Sequence, residues 1–192
     1  SFTHWIGGMG VLVFLLILPP LAGGSHMNLM KAESPGPSVS RLVPKVQATA
    51  KILYLIYIFM TLTEIVMLLA GGMSLFDSLT ISFGTAGTGG FGIKNDSMAG
   101  YSTYLQAVVT VFMILFGVNF NFYFLLMKKG KQAIHSEEVR AYFLIILTAV
   151  LLIAVNIRGY FDHFWQAVHQ SAFQVGSIIT TTGYATTDFN LW

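Results

Sequence analysis

The segment Thr88-Gly89-Gly90-Phe91-Gly92 has a counterpart 93 positions later, Thr181-Thr182-Gly183-Tyr184-Ala185. The same offset pairs Ser78 with Ser171. Each motif is preceded by a long apolar run and then by a shorter, mixed stretch, so one order of elements occurs twice. An internal repeat of this kind indicates a fold built from repeated units, each with a long helix, a short helix and a Thr/Gly-rich segment.

Four nearly uncharged runs are long enough to cross a bilayer, or nearly so, because a spanning helix needs about 20 apolar residues and no fewer than about 17. They are residues 5–22, 52–70, 101–127 and 141–157. The composition agrees, since 55% of the residues are hydrophobic and 9% are charged, against about 25% charged in soluble domains. We therefore predict an all-α integral membrane protein, whose 27-residue third run must tilt, bend or protrude.

Two further stretches, residues 75–83 and 164–179, are apolar with polar residues interleaved, and each precedes one of the motifs. They are too short or too mixed to span, and irregular backbone at membrane depth persists only where it lines protein or water. We expect re-entrant half-helices here, followed by extended strands at the motifs. The pair Ser74 and Asp77 resembles a capping motif for the first half-helix, and Asp162 is a candidate cap for the second.

Basic residues lie mostly in two connections between the apolar runs, and the positive-inside rule places those connections in the cytoplasm. The two motifs then face outward from a multi-pass protein of the cell membrane. Acidic residues on that side would raise the local cation concentration, although solvated loop charge is an equally good interpretation. The basic side has Lys31, Arg41, Lys45, Lys51, Lys128, Lys129, Lys131 and Arg140; the opposite side has Lys94, Arg158, Asp77, Asp96, Asp162 and Asp188.

Both motifs resemble the Thr-Val-Gly-Tyr-Gly filter loop of potassium channels, in which backbone carbonyls replace the hydration shell of an ion. A segment that turns successive carbonyls towards one axis needs left-handed backbone angles, which Gly90 and Gly183 adopt at little cost. Phe91 and Tyr184 are expected to pack behind the carbonyls. The short helix before each motif would direct its partially negative C-terminus at the ion. A phosphate-binding loop is disfavoured, since no Gly-Lys-Ser/Thr sequence follows.

Glu64 lies about two-thirds of the way along its apolar run, where a carboxyl group is costly and usually faces a bundle interior or water. We expect it to brace the backbone of the filter or of the short helix; direct ion ligation and a structural or protonated role are the alternatives. Asn119 and Asn121, near the middle of the third run, either line the pore or bond a neighbouring helix. Asp96 and Asp188 are further candidates for filter support.

Other classes of function are less well supported by the residues. His163 and His169 are six positions apart and would lie on different helix faces, with no acidic cluster to complete a metal site. The chain has no cysteine, which excludes a disulfide scaffold. An intramembrane enzyme would need a Ser/His or paired-Asp constellation within the apolar runs. Neither an enzyme nor a structural membrane scaffold has a reason to repeat a glycine motif.

Together with residues 1–10 and 117–120, the two motifs resemble the membrane subunits of Trk/Ktr-type potassium uptake systems. The resemblance implies four helix–pore-loop–helix repeats around one pore, with sodium permeability as an alternative within the family. Residues 1–22 would close a first repeat, 23–50 form a cytoplasmic connector, 51–130 a second repeat and 131–192 a third repeat without its closing helix. Potassium, as substrate, would bind the carbonyls of Thr88, Gly89, Gly90, Thr181, Thr182 and Gly183.

The same resemblance implies the partners of the chain. These are membrane lipid, the missing repeats of its own chain, a second copy in a homodimer and a cytoplasmic nucleotide-binding regulatory subunit. We expect no bound cofactor and no nucleic-acid partner. The expected activity is passive or gated conduction of dehydrated monovalent cations through a single filter.

Overall fold

The structure is a computed structural model that describes residues 1–10, 43–130 and 136–188. Within these ranges the chain is all helical and contains no strand, so the predicted helical class is confirmed and the expected strands at the two motifs are wrong. The motifs are irregular loops, because residues in them adopt left-handed angles that a strand does not contain. The helices are α1 (Phe2–Gly8), α2 (Val43–Ala70), α3 (Leu75–Ala86), α4 (Thr103–Phe116), α5 (Phe120–Lys129), α6 (Glu137–Ile157) and α7 (Phe164–Ile179), with a 3₁₀ turn at Arg158–Tyr160.

Among the described residues, two helices are long and apolar enough to cross a membrane. They are Ala50–Ala70, with 21 residues, and Glu137–Tyr160, with 24 residues, each with a mean hydropathy of 2.2. At the rise of an α-helix these lengths correspond to about 31 and 36 Å, enough for the roughly 30 Å hydrocarbon core of a bilayer. The predicted runs 52–70 and 141–157 lie inside these helices. The predicted run 5–22 lies largely outside the described residues.

The third predicted run is a broken helix. The axes of α4 and α5 meet at 83°. Of the three predicted alternatives for this run, which were tilting, bending and protruding, the structure therefore shows bending. A Cβ at Gly117 would overlap the hydroxyl of Tyr142 and lie 2.5 Å from Cγ2 of Thr180, so a larger residue where α4 ends would have to displace these side chains. The side chain of Asn119 then caps α5 by accepting a hydrogen bond from the N–H of Asn121 at 3.0 Å.

The short helices α3 and α7 precede the two motifs. Helix α7 spans the predicted 164–179, while α3 starts at the predicted Leu75 and ends at Ala86, three residues later than expected. Helix α3 packs against α2 and α4, and α7 packs against α4 and α6. One buried cluster, which includes Met113 and Phe173, extends across both repeats. The two short helices are therefore positioned by a shared core.

The N-termini of the short helices differ in their caps. The hydroxyl of Ser74 accepts a hydrogen bond from the N–H of Asp77 at 3.1 Å, which confirms the predicted cap of α3. The predicted cap at Asp162 is wrong. The N-cap position of α7 is His163, and no side-chain hydrogen bond caps this helix. Asp162 lies one position before the N-cap, from which a carboxylate does not take the capping hydrogen bond of the first turn.

Helix α1 lies against the C-terminal end of α3 through a contact between two glycines. A Cβ at Gly8 would lie 2.5 Å from Oη of Tyr57 and 3.0 Å from Cα of Gly87. The Tyr57 hydroxyl also donates a hydrogen bond to the carbonyl of Trp5 at 2.8 Å. The indole of Trp5 in turn donates to the hydroxyl of Thr61 on α2 at 3.1 Å. These contacts fix α1 against both α2 and α3.

We predict that Gly8→Ala destabilises the protein and that Gly7→Ala does not, because a Cβ at Gly7 would meet nothing within 4 Å. Overpacking at Gly8 should cost about 1–3 kcal/mol, offset in part by the ~0.5–1 kcal/mol that alanine gains over glycine within a helix. Thermal unfolding of both purified variants in detergent measures the difference. Equal melting temperatures would contradict the close approach of α1 to α3.

Candidate functional site

The two motifs, here called the first loop (residues 88–92) and the second loop (residues 181–185), share one pattern of backbone angles. Thr88 and Thr181, the first residues of the loops, have φ of +52° and +57°. The third residues, Gly90 and Gly183, have φ of +61° and +91°. Left-handed angles are uncommon for threonine. Their occurrence at both equivalent positions indicates that the surrounding structure imposes this conformation.

Each loop folds back over the C-terminal end of its short helix. The carbonyl of Gly84 on α3 accepts hydrogen bonds from the second and third amides of the first loop, at 2.7 and 3.4 Å. The carbonyl of Ser177 on α7 accepts from the second and third amides of the second loop, at 2.9 and 3.4 Å. Gly84 and Ser177 are themselves 93 positions apart. The sequence repeat is thus matched by a repeat of hydrogen bonds.

The backbone carbonyls of the loops differ from the backbone amides in their hydrogen bonding. In the part of the chain that the structure describes, no hydrogen bond is made to the carbonyl oxygens of the first three residues of either loop. The loops also begin at helix C-termini, which carry partial negative charge. Oxygen dipoles beside helix C-termini suit a cation and disfavour an anion. The six carbonyls are those of Thr88, Gly89, Gly90, Thr181, Thr182 and Gly183.

The two loops approach each other at Gly90. A Cβ at Gly90 would overlap the carbonyl oxygen of Thr182 and lie 3.1 Å from the carbonyl carbon of Gly183. A Cβ at Gly183 would meet nothing within 4 Å. Position 90 therefore requires glycine because of both its backbone angle and the available space, whereas position 183 requires it because of the angle alone.

The aromatic residues of the two loops have different surroundings. Tyr184 is buried, and its hydroxyl donates a hydrogen bond to the carbonyl of Ile81 on α3 at 3.1 Å. Gly84 makes room for it, because a Cβ there would overlap the Tyr184 hydroxyl. Phe91 is 51% exposed, and its ring centroid lies 5.3 Å from that of His4 on α1. Tyr184 therefore packs against the short helix of the other repeat.

Ser177 supports the second loop with its side chain as well as its carbonyl. Its hydroxyl donates to the carbonyl of Tyr184 at 2.6 Å and accepts from the N–H of Gly183 at 3.1 Å. Neither Ser177 nor Gly84 was among the predicted site residues. The 93-residue offset that aligns the motifs also pairs these two positions, so the signal that points to both of them is present in the sequence.

Glu64 is fully buried on α2, with 0% of its side chain exposed. Its carboxyl group lies near the hydroxyl of Thr85 and within electrostatic range of Tyr184. The Thr85 hydroxyl donates its hydrogen bond to the carbonyl of Ile81 at 2.9 Å. Among the described residues neither carboxyl oxygen of Glu64 has a hydrogen-bond partner. Glu64 thus faces the C-terminal half of α3 and has no contact with solvent.

The remaining predicted site residues lie at the ends of helices or in exposed loops. The amide nitrogen of Asn119 donates to a carboxylate oxygen of Glu138 at 3.2 Å, at the break between α4 and α5. Asp96 and Asp188 are exposed, and the Asp96 carboxylate lies beside Gly100. Within the described ranges no group of three or more His, Cys, Asp or Glu side chains is placed to hold a metal ion.

Residues 93–102, here called the connecting segment, join the first loop to α4. The hydroxyl of Tyr101 donates to the carboxylate of Asp77 at 3.1 Å, and the Lys94 ammonium lies 4.0 Å from the centroid of the Tyr101 ring. Burial, then the hydrogen bond to Asp77 and the charges of Asp77 and Asp96, raise the pKa of Tyr101 to about 12. The phenol therefore stays protonated at physiological pH and holds the segment against the start of α3.

A cavity of about 430 Å³ lies beside the first residue of the first loop. Its lining combines hydroxyl, imidazole and backbone groups. At about 30 Å³ per water molecule, it has room for several waters. The lining residues are Thr3, His4, Gly7, Gly8, Gly87 and Thr88.

We predict that Gly90→Ala destabilises the protein more than Gly183→Ala. Both variants place alanine at a left-handed angle, at a cost of about 1–2 kcal/mol. Only Gly90→Ala also pushes a methyl group into the carbonyl of Thr182, which adds about 1–3 kcal/mol of overpacking. Thermal unfolding in detergent measures both. The contact between the loops would be contradicted if Gly183→Ala melted at the same temperature as Gly90→Ala or lower.

Comparison with known proteins finds similarity along the whole chain. The family model TrkH, described as a cation transport protein, matches residues 1–192. The Trk system potassium uptake protein TrkH of Vibrio parahaemolyticus is 33% identical over 203 residues, covering 100% of this chain and 41% of that protein. The protein of the same name from Halomonas elongata is 31% identical over 195 residues, covering 98% of this chain and 40% of that protein.

A solved structure is similar as well. The crystal structure of the potassium transporter TrkH from Vibrio parahaemolyticus has a TM-score of 0.80 at 27% sequence identity. The match covers 100% of this chain and 39% of that one. This chain therefore spans about two fifths of the length of the relatives that it matches.

Proposed function

Because the chain belongs to the TrkH family of cation transport proteins, we propose that it forms part of a potassium pathway across the cell membrane. The six loop carbonyls are the proposed ion ligands. The observation that carries this proposal is the matched pair of loops, with equivalent backbone angles and equivalent hydrogen bonds to α3 and α7. Potassium is the proposed substrate because the relatives are named potassium uptake proteins.

The chemistry of a dehydrated cation supports this role for the loops. An ion that leaves water needs oxygen dipoles in place of its hydration shell, and backbone carbonyls supply them. In a regular strand successive residues point to opposite faces. Left-handed angles at the first and third residues of each loop break that alternation. The C-termini of α3 and α7 add partial negative charge at the start of each loop.

The proposed architecture repeats a spanning helix, a re-entrant short helix with its loop, and a closing helix. Residues 51–130 form one such repeat, in which the bent pair α4 and α5 is the closing helix. We propose that residues 1–22 close the preceding repeat, that 23–50 connect the two in the cytoplasm, and that 131–192 begin the next. Of these, residues 11–42, 131–135 and 189–192 lie outside the described residues. We place the Lys/Arg-rich connections in the cytoplasm and both loops on the outer side of the membrane.

The phenyl group of Phe91 is half exposed, and this exposure supports a closed, circular arrangement of such repeats. Tyr184, its equivalent, is covered by α3 of the repeat before it. In a closed arrangement the repeat before the first loop would cover Phe91 in the same way. The apolar side chains exposed on α2 and α6, among them Leu55, Phe59, Leu144 and Leu152, would then contact lipid or the remaining repeats of the chain.

The proposed assembly contains more than this chain. The relatives are named as members of a Trk system, and the motifs resemble a family of membrane subunits. We propose a homodimer that binds a cytoplasmic nucleotide-binding regulatory subunit. The positive-inside rule would place the basic connections around residues 31–51 and 128–140 on the side on which such a subunit would dock.

The other predicted site residues are assigned supporting roles. Glu64 is proposed to brace the end of α3 that carries the first loop, because its carboxyl group lies near Thr85 and away from solvent. Asn119 is proposed to hold the bend of the closing helix by capping α5 and bonding Glu138. Asp96 and Asp188 are exposed and are proposed to attract cations to the outer mouth.

We predict that Gly90→Ser and Gly183→Ser each lower the preference for potassium over sodium by about tenfold, equivalent to ~1.4 kcal/mol of discrimination, or abolish uptake. The reason is that a side chain at a left-handed angle shifts the loop carbonyls. Uptake of potassium and rubidium by the full-length protein, in cells without their own uptake systems, measures the effect at matched levels in the membrane.

The control for these variants is Gly159→Ser, because Gly159 has no left-handed angle and a Cβ there would meet nothing within 4 Å. It should transport like the wild type. If the Gly90 and Gly183 variants also do so, the loops are turns without a role in conduction and the proposed function fails.

We predict that Glu64→Gln leaves uptake within about threefold of the wild type, whereas Glu64→Leu lowers it by about tenfold. Glutamine keeps the size and a polar oxygen beside Thr85, while leucine removes every polar atom from this buried position and leaves the Thr85 hydroxyl with only its hydrogen bond to the carbonyl of Ile81 among the described residues. The same uptake assay, with protein levels in the membrane as control, compares the two. Loss of uptake in Glu64→Gln would show instead that the negative charge is required.

A further inference from the structure

The last residue of the second loop is held by the other repeat. The N–H of Ala185 donates to the hydroxyl of Ser97 at 3.2 Å, and the carbonyl of Ala185 accepts from the N–H of Met98 at 2.9 Å. Ser97 and Met98 belong to the connecting segment that follows the first loop. The start of the second loop is therefore fixed by α7 of its own repeat, whereas its end is fixed across the boundary between repeats.

The connecting segment is itself held by Gln106 on α4, a side chain that is 6% exposed. Its amide nitrogen donates to the carbonyls of Met98 at 3.0 Å and Tyr101 at 3.2 Å. The amide oxygen therefore faces His169 on α7, whose Nε2 lies 3.1 Å away. An amide oxygen only accepts, so Nε2 of His169 carries the hydrogen. Gln106 thus joins the connecting segment to both α4 and α7.

The backbone at Ser97 has the conformation that the hydrogen bonds to Ala185 require. Ser97 has φ of +55°, an angle uncommon for any residue with a side chain. The next residue, Met98, is fully buried in the shared core. A strained angle beside a buried side chain persists where the surrounding contacts over-determine it. Here those contacts are the hydrogen bonds to Ala185 and Gln106.

We propose that Ser97 and Met98, held in place by Gln106, form an inter-repeat clamp that sets the position of the second loop. The clamp rests on the proposed function, since it affects ion choice only if the second loop is a wall of the filter. Ser97, Met98 and Gln106 are positioning residues that touch no ion. By fixing Ala185, they fix the far end of the segment whose first three carbonyls face the ion. Selectivity then depends on residues outside both loops.

The test uses the full-length protein with Ser97→Gly and Gln106→Leu. Glycine adopts the left-handed angle freely, so Ser97→Gly removes the hydroxyl acceptor and little else. Gln106→Leu removes both hydrogen bonds to the connecting segment at similar volume. The matched control is Thr110→Val one turn along α4, where the hydroxyl is buried and donates only within the helix, to the carbonyl of Gln106 at 2.8 Å.

Uptake of rubidium and sodium is measured together with KM, maximal rate and protein level in the membrane. We expect both clamp variants to lose about three- to tenfold in the preference for rubidium over sodium, or to gain as much in KM, the size expected when one or two buried or partly buried hydrogen bonds are lost. Maximal rate per molecule should change less. Thr110→Val should match the wild type in every quantity.

Two outcomes distinguish failure of the proposed clamp from failure of the proposed filter. If Gly183→Ser alters selectivity while Ser97→Gly and Gln106→Leu leave both selectivity and KM unchanged, the clamp is overturned and the filter stands. If Gly183→Ser also transports like the wild type, the proposed function itself fails. Should Gln106→Leu not reach the membrane, Ser97→Gly alone decides, because it retains Gln106 and the core.

Discussion

The approach of the first loop to the second at Gly90 is the constraint on which the proposed site depends. No side chain fits between Gly90 and the carbonyl of Thr182, so the two sets of carbonyls, which accept no hydrogen bond from the described residues, can lie side by side only with glycine at this position. Other features of the fold hold the two loops in this contact. The buried cluster shared by the two repeats fixes the short helices that carry the loops, and Gly84 admits Tyr184 from the neighbouring loop.

Much of the helical framework could be predicted from the sequence, because the bilayer imposes length and polarity limits that short-range patterns reveal. The bounds of α7 were predicted without error, as was the cap at Ser74. The strands expected at the motifs were wrong because Thr88 and Thr181 adopt left-handed angles, a conformation that threonine rarely shows and that residue type alone does not signal. The cap expected at Asp162 failed by one position.

The contacts between repeats could not be predicted from the sequence. The hydrogen bond of Tyr184 to Ile81 joins residues 103 positions apart, and that of Ala185 to Ser97 joins residues 88 apart. Such pairs are set by how the helices pack, and no local pattern of residue types indicates them. Gln106 was missed for the same reason, since a single glutamine in an apolar run has many potential partners. The 93-residue offset between the motifs, by contrast, pairs Gly84 with Ser177, so these two positions could be identified from the sequence.

If the two loops line one ion pathway, heavy-ion crystallography of the full-length protein should locate the ions between them. Crystals soaked in thallium or rubidium would locate the ions by anomalous scattering. We expect ion density on an axis within coordination distance of carbonyls from both loops, at the first three residues of each. Ion density remote from both loops, or against side-chain carboxylates alone, would contradict it.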